Sequence, residues 1–194
     1  MLAGHSFGGL YVLAFAARYP DDVAGMVLVD STEPGSRAAP VTPANEGSYD
    51  ITWRASGLLS AMARVGVPRL LGQIDFGDLP PQARDEARVL VATPDHVQST
   101  IDEYIQASAS ADEAASLRDF GDKPLFVLTA GSGSDADWMA AQDKLATLST
   151  NSAHRVVDGA AHIDLIFEKD AAAVTTQAIL DVVSSVRTGE PLAR

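Results

Sequence analysis

The sequence predicts an α/β protein built on a parallel sheet, and three observations carry this prediction. Short apolar runs without alternation recur along the chain, as in strands that are covered on both faces. Segments of helical periodicity follow these runs in turn, which favours a parallel sheet with crossover helices. One long stretch of helical character interrupts the alternation and predicts a helical insertion between two strands.

This pattern divides the chain into three segments. Residues 1–34 form the first part of the core, with a strand, a helix and a second strand. Residues 35–119 form the helical insertion, and residues 120–194 form the second part of the core, with the last two strands and their helices. A chain of 194 residues can bury an adequate core as one domain.

The first part of the core begins with a short apolar strand that leads into Gly4-His5-Ser6-Phe7-Gly8. A helix over Phe7–Tyr19 is apolar on all sides, as a helix buried against a sheet is, and Pro20 ends it. The apolar run Ala24–Val29 predicts the second strand. Asp30 follows it at the carboxyl edge, where open α/β sheets place their chemistry.

The insertion opens with a loop over residues 35–50 that is rich in Pro, Ala, Ser, Thr and Gly. Its clearest helix start has Thr93 as N-cap and Pro94 at the first helical position. The predicted helices are Trp53–Val65, a short turn at Pro68–Gly72, Pro81–Ala92, a third from Pro94 with Val97, Ile101, Tyr104 and Ile105 on one face, and a shorter Ala111–Leu117. Six apolar residues of the insertion are expected to pack between helices, and the alternative is that they line a pocket for an acyl chain. They are Trp53, Leu58, Leu59, Met62, Ile101 and Tyr104.

The second part of the core opens with the continuous apolar strand Leu125–Ala130 and a loop over Gly131–Asp137. Arg155–Val157 is a short last strand, and the loop after it carries His162. Apolar residues at helical spacing predict the two helices: one with Trp138, Ala141, Leu145 and Leu148, and a final one over about Lys169–Val186 that buries Val174, Ala178, Val182 and Val186.

The stretch from Gly4 to Gly8 fits the G-x-S-x-G pattern of a nucleophile elbow. In this pattern a strand turns sharply into a helix and holds the serine at the tip in a strained backbone conformation. The residues two before and two after the serine crowd each other, so both are expected to be small. Ser6 is therefore the candidate nucleophile, and a glycine-rich turn with an incidental serine is the alternative.

With this elbow the chain resembles the α/β-hydrolase fold family along its whole length, from the middle of that fold onward. The stretches 23–32, 123–131 and 148–162 also look like a subgroup of actinobacterial-type serine hydrolases. The resemblance implies that the insertion is a cap over the active site. It also implies four earlier strands and an oxyanion loop with no counterpart in this sequence. We therefore expect a C-terminal portion that is poorly soluble and has little activity alone, since the missing strands leave an open sheet edge.

A serine nucleophile needs a base within hydrogen-bond reach, and the chain has four histidines. His5 adjoins Ser6, but the elbow points neighbouring side chains apart. His96 falls in the insertion, and His154 precedes the last strand at the wrong end of the sheet. His162 lies just past that strand on a Gly-Ala-Ala loop and matches the family's base in position and in chain order.

The carboxylate that orients this histidine has two candidates, Asp30 and Asp135. In the family the commoner position is the loop after the penultimate strand, where Asp135 and Asp137 lie. The other known position is the end of the preceding strand, where Asp30 lies. Asp30 is favoured because it is tied to a rigid strand end, whereas Asp135 sits in a Gly-Ser-rich loop that would lose entropy on ordering. Asp164 is expected to cap the last helical region or to face water.

One oxyanion donor is expected from the backbone N–H of Phe7, the residue after the nucleophile. The resemblance then implies a serine hydrolase, esterase- or lipase-like, that acts on an ester or related acyl bond through an acyl-enzyme, without a metal or organic cofactor. A serine at the elbow speaks against haloalkane dehalogenases, whose relatives carry aspartate there. The alternative is a non-catalytic relative that serves as a binding module.

The composition narrows the class of partner. The 26 acidic and 14 basic residues give a net charge of −12, which argues against nucleic acid or an anionic membrane surface and leaves a small-molecule substrate. The absence of cysteine excludes thiol catalysis and disulfides. No transmembrane run or targeting signal occurs in the sequence, so a cytoplasmic location is the default expectation. No pattern points to an oligomeric state or to one particular substrate.

Overall fold

A computed structural model of the chain describes residues 1–34 and 76–193. The chain divides into two compact units, one formed by Met1–Ala39 with Ala109–Arg194 and the other by Pro40–Ser108. The loop over 35–50, the helix Trp53–Val65 and the turn Pro68–Gly72 lie outside the described residues, as do the side chains of Ile101, Tyr104 and Ile105. The assignment of 35–119 as a cap stays a prediction.

The first unit contains a parallel sheet, which confirms the predicted fold class. Its strands, among the described residues, are β1 (Leu2–His5), β2 (Met26–Val29), β3 (Leu125–Ala130) and β4 (Ser152–Val157), in the order β1-β2-β3-β4. His5 pairs with Val29 in a parallel register. The residues that follow, Ser6 and Asp30, therefore leave neighbouring strands at the same level of the sheet.

The described residues form six α-helices. They are α1 (Gly8–Arg18), α2 (Pro81–Val91), α3 (Pro94–Ala114), α4 (Ala136–Ala146), α5 (Asp164–Phe167) and α6 (Lys169–Thr188), with a 3₁₀ turn at Pro20–Asp22. Within the described ranges, no helix has the length and apolar character that crossing a membrane requires.

Two apolar clusters cover the two faces of the sheet, because successive strand residues point to opposite sides. On one face Met26 and Leu28 of β2 pack with Leu10 and Leu13 of α1 and with Leu145 of α4. On the other face Val27 and Val29 pack with Leu165 of α5 and with Ala178 and Val182 of α6. Burial on both faces explains why the strands read as continuous apolar runs.

Several predicted elements differ from the structure. The predicted short helix Ala111–Leu117 is not separate, because Ala111–Ala114 form the last turn of α3. The last strand begins at Ser152 rather than Arg155, which places His154 inside β4. On α6, Val186 was expected in the core and is 38% exposed.

The first helix is less buried than expected. Tyr11, Phe15 and Tyr19 are exposed although α1 was expected to be apolar and covered on all sides. Tyr11 and Phe15 are spaced four apart, so they share one face of α1, and Tyr19 follows the last residue of that helix.

The second unit contributes α2 and most of α3 to the described residues. The Thr93 hydroxyl accepts a hydrogen bond from the backbone N–H of His96 at 3.2 Å, so Thr93 caps α3 as the sequence predicts. His96 itself is exposed.

Candidate active site

Ser6 occupies a sharp turn between β1 and α1. Its φ is +56°, a left-handed conformation that is uncommon for a residue with a side chain. The backbone holds this turn from both sides: Ser6 N–H donates to the Val29 carbonyl at 3.1 Å, and Gly9 N–H and Thr32 N–H each donate to the Ser6 carbonyl at 3.1 Å. The strained backbone is therefore fixed by its surroundings.

The glycines around Ser6 have unequal roles. A Cβ at Gly4 would lie 2.4 Å from the Gly8 carbonyl oxygen, so no larger residue fits there. A Cβ at Gly8 would meet nothing within 4 Å, which corrects the expectation that both positions must be small. At Gly9 a Cβ would lie 2.3 Å from the Ser31 Cβ, so this glycine admits the segment that follows β2.

Asp30 lies at the end of β2, next to the Ser6 turn. It also has a positive φ, +42°, and its side chain is only 3% exposed. Its carboxylate accepts three hydrogen bonds. Oδ2 accepts from His162 Nδ1 at 2.6 Å, and Oδ1 accepts from Trp138 Nε1 at 2.8 Å and from the Ala130 N–H at 3.2 Å.

These contacts decide the charge of the Asp30 carboxyl group. Burial works to raise the pKa of Asp30, but the hydrogen bonds, the one from His162 first among them, outweigh burial and lower the pKa below its ordinary value. The carboxylate is therefore ionised at neutral pH, although it is almost fully enclosed.

His162 lies in the loop between β4 and α5. Its side chain is 43% exposed, and its Nδ1 points at Asp30. Because an ionised carboxylate can only accept, Nδ1 carries a proton and Nε2 is the nitrogen available to accept one. This tautomer is the one that a general base next to a serine requires.

His5, the residue before Ser6, packs against His162. The ring centroids are 4.3 Å apart, and His5 Nε2 lies 3.0 Å from the His162 carbonyl oxygen, to which it donates. Burial is the main cause that lowers the pKa of His5 below its ordinary value. The His162 ring adds to this effect, while the hydrogen bond to the carbonyl opposes it. His5 is thus a neutral support for the loop that carries His162, a contact that the sequence analysis missed.

The structure brings Asp30 and His162 together and ties Ser6 to the same end of the sheet through His5. In the described part of the chain the Ser6 hydroxyl does not hydrogen-bond to the His162 ring. Catalytic hydrogen bonds are often long in unliganded enzymes and shorten when substrate binds.

The alternative acid Asp135 has another partner. Its Oδ1 accepts a hydrogen bond from the Trp138 N–H at 2.8 Å, so it caps α4. Asp164 accepts from the Ala161 N–H at 2.8 Å, a contact to the loop before α5 rather than the helix cap or the solvent exposure expected for it.

The remaining histidine, His154, belongs to a separate hydrogen-bonded trio. Its Nε2 lies 2.7 Å from the Thr129 hydroxyl, and its Nδ1 lies 2.9 Å from Asp143 Oδ1. Thr129 is 0% exposed, so its hydroxyl cannot meet a substrate. This trio joins β3, β4 and α4 and has a structural role.

The segment after β2 holds the site together. The Ser31 hydroxyl donates to the Gly4 carbonyl at 2.8 Å, and Gln142 of α4 donates through Nε2 to the Ser31 carbonyl at 2.8 Å. Glu33, also buried, accepts from Lys144 Nζ at 2.7 Å. Sequence reasoning missed these residues because nothing in a local pattern indicates which polar side chains α4 turns toward β2.

Comparison with known proteins gives a family for the chain. The profile described as the alpha/beta hydrolase fold matches residues 1–169. Among curated proteins, none matches the sequence significantly.

Solved structures show the same fold at low identity. An esterase from Thermogutta terrifontis is 22% identical with a TM-score of 0.52, over 97% of this chain and 66% of that chain. An alpha/beta hydrolase fold protein from Burkholderia ambifaria is 21% identical with a TM-score of 0.58, over 92% and 64%. The epoxide hydrolase CorEH is 17% identical with a TM-score of 0.57, over 90% and 65%. The chain thus spans about two thirds of the length of these proteins.

Proposed function

We propose, because this chain belongs to the α/β-hydrolase fold family, that it is a serine hydrolase acting on an ester or related acyl bond through a covalent acyl-enzyme. The observation that carries the proposal is the 2.6 Å hydrogen bond between buried Asp30 and His162 at the sheet edge where Ser6 turns into α1. Membership of the family supports hydrolysis in general, and ester chemistry is the narrower part of what we propose.

The first half of the reaction forms the acyl-enzyme. The Ser6 hydroxyl attacks the acyl carbon while His162 Nε2 accepts its proton, and the tetrahedral intermediate collapses when His162 returns that proton to the leaving alcohol. Asp30 keeps Nε2 free to accept and stabilises the imidazolium that forms.

The second half releases the acid. A water molecule gives its proton to His162 and attacks the acyl carbon, and the Ser6 oxygen takes the proton back as it leaves. Both halves place negative charge on the acyl oxygen. The backbone N–H of Phe7, at the amino end of α1, is the proposed donor from this chain for that charge.

A neutral His5 supports this assignment of roles. If the ring beside His162 were charged, it would oppose the imidazolium that each half-reaction forms. The lowered pKa of His5 keeps that ring uncharged at neutral pH. The base therefore gains a positive charge next to the Asp30 carboxylate without a second cation in contact with it.

Labelling with a fluorophosphonate probe tests the proposal, since the probe reacts with a serine only when a base activates it. The expected result is one labelled site, lost in Ser6→Ala and retained in the control Ser184→Ala, whose serine is exposed on α6. A folded protein that takes up no label, both as this chain and as a version extended at its amino end, or that keeps its label in Ser6→Ala, contradicts the proposal. The first of those results would favour a non-catalytic binding module.

Ester chemistry is tested separately by turnover of p-nitrophenyl esters of two to twelve acyl carbons. Ser6→Ala is expected to abolish turnover of every ester in the series. Labelling at Ser6 without ester turnover would keep the serine hydrolase and reject the ester substrate.

A further inference from the structure

We propose that Trp138 is a positioning residue for Asp30, and that its indole N–H fixes the rotation of the carboxylate so that one oxygen points at His162. The inference rests on the proposed function, because it concerns the acid of that same site. Trp138 Nε1 donates to Asp30 Oδ1 at 2.8 Å, while His162 Nδ1 donates to the other oxygen, Oδ2, at 2.6 Å.

An aspartate needs such a partner here. The Asp30 side chain is 3% exposed, so water cannot satisfy the oxygen that His162 leaves unused. The terminal torsion of an aspartate is broad, and without a partner for Oδ1 the carboxylate would rotate away from the histidine. The indole N–H and the Ala130 N–H both hold Oδ1, which leaves Oδ2 directed at the base.

Trp138 is itself held by the start of α4. The carboxylate of Asp135 accepts a hydrogen bond from the Trp138 backbone N–H at 2.8 Å, so the capping residue sets the place of the tryptophan. One turn further along the same helix, Gln142 donates to the Ser31 carbonyl at 2.8 Å. With Lys144 bound to Glu33, α4 contacts the segment after β2 at three residues, Asp30, Ser31 and Glu33, and only the contact from Trp138 reaches the acid.

The indole is suited to this task. Its N–H can only donate, so it favours the ionised form of the carboxylate and cannot exchange roles with it. A tryptophan also has two stiff torsions and a large ring, which locate the N–H without mobile side-chain atoms.

The test compares Trp138→Phe, which keeps an aromatic ring and removes the N–H, with the matched control Gln142→Met. The titration of the Asp30 carboxyl is followed by carbon NMR, and the rate of fluorophosphonate labelling is measured. For Trp138→Phe we expect the Asp30 midpoint to rise and labelling to be roughly tenfold slower, the scale of one hydrogen bond to a charged group. For Gln142→Met we expect the parent midpoint.

An unchanged Asp30 midpoint in folded Trp138→Phe would overturn the inference. The titration needs no catalysis, so it separates this outcome from a failure of the proposed function, which is an unlabelled parent. If Trp138→Phe does not fold, the contact is tested in the unmodified chain by NMR. The indole N–H signal of Trp138 must then shift with the same midpoint as the Asp30 carboxyl, and a signal that ignores this titration rejects the contact.

Discussion

His5 and His162 stack on one another with ring centroids 4.3 Å apart, and the His5 ring donates to the His162 backbone carbonyl. The residue before the candidate nucleophile therefore supports the loop that bears the candidate base. The two positions are 157 residues apart in sequence, so this contact joins the beginning of the chain to a loop near its end.

The lowered pKa of His5 predicts a loss of stability in mild acid. The folded state holds His5 neutral, whereas the unfolded state takes up a proton near the ordinary pKa of about 6.5. The contribution to the free energy of unfolding is thus complete above that pH and declines as the pH falls toward the folded pKa. Urea unfolding of the parent and of His5→Gln between pH 5 and 8 checks this. If the free energy of unfolding changes equally with pH in the two proteins, the prediction is contradicted.

Asp30→Asn should remove the acid without changing its shape. The amide favours the wrong tautomer of His162, so we expect fluorophosphonate labelling to slow by up to about 10⁴-fold. The matched control is Asp143→Asn, which makes the same change at the other Asp–His hydrogen bond and is expected to label at the parent rate. Equal slowing in the two variants would mean that the Asp30 contact has no special part in activating Ser6.

The same carboxylate predicts a second acid transition in stability. The pKa of Asp30 is lowered in the folded state, so its contribution is present above the ordinary carboxyl pKa of about 3.9 and is lost as the pH falls through the folded value. Acid unfolding followed by circular dichroism should show a shallower dependence on pH in Asp30→Asn than in the parent below about pH 4.

The two glycines of the elbow should respond in opposite directions to alanine. Gly4→Ala places a Cβ 2.4 Å from the Gly8 carbonyl oxygen, and we expect it to lower the free energy of unfolding by about 1–3 kcal/mol. Gly8→Ala meets no atom within 4 Å and lies in α1, where alanine raises the free energy of unfolding by up to about 1 kcal/mol relative to glycine. Urea unfolding of both variants measures the difference, and a similar loss in each would refute the unequal roles.

Asp135→Ala should affect stability more than labelling. Loss of the N-cap of α4 is expected to cost about 0.5–2 kcal/mol, while Asp135→Ser, which keeps a capping oxygen, should stay close to the parent. Labelling of folded Asp135→Ala should remain far above that of Asp30→Asn. If Asp135→Ala abolished labelling and Asp30→Asn did not, the acid would be Asp135.

The elements of the sheet could be predicted because burial on both faces leaves a direct trace in the sequence. Leu125–Ala130 has the same bounds in both descriptions. The sequence does not decide between Asp30 and Asp135, because that choice depends on where each carboxylate finds donors. Trp138 donates its indole N–H to Asp30 and its backbone N–H to Asp135. The periodicity of the sequence reveals neither contact.

Other errors have a physical cause as well. The sequence placed His154 before the last strand because Ser152 and Ala153 lack the apolar, β-branched character of Val156 and Val157. Backbone pairing with the whole of β3 makes Ser152–Val157 a strand, although the first side chains of this segment have low β-propensity.

The Thr129–His154–Asp143 trio has a consequence for how such sites are recognised. It links a hydroxyl, an imidazole and a carboxylate by hydrogen bonds of 2.7 and 2.9 Å. Among the described residues, no hydrogen bond joins the Ser6 hydroxyl to the His162 ring. A search that matches templates of three side chains by distance alone would select this trio, although its Thr129 hydroxyl is fully buried. Ser6, the candidate nucleophile, differs from Thr129 in two ways: the residue is only partly buried, and its backbone lies in a left-handed turn.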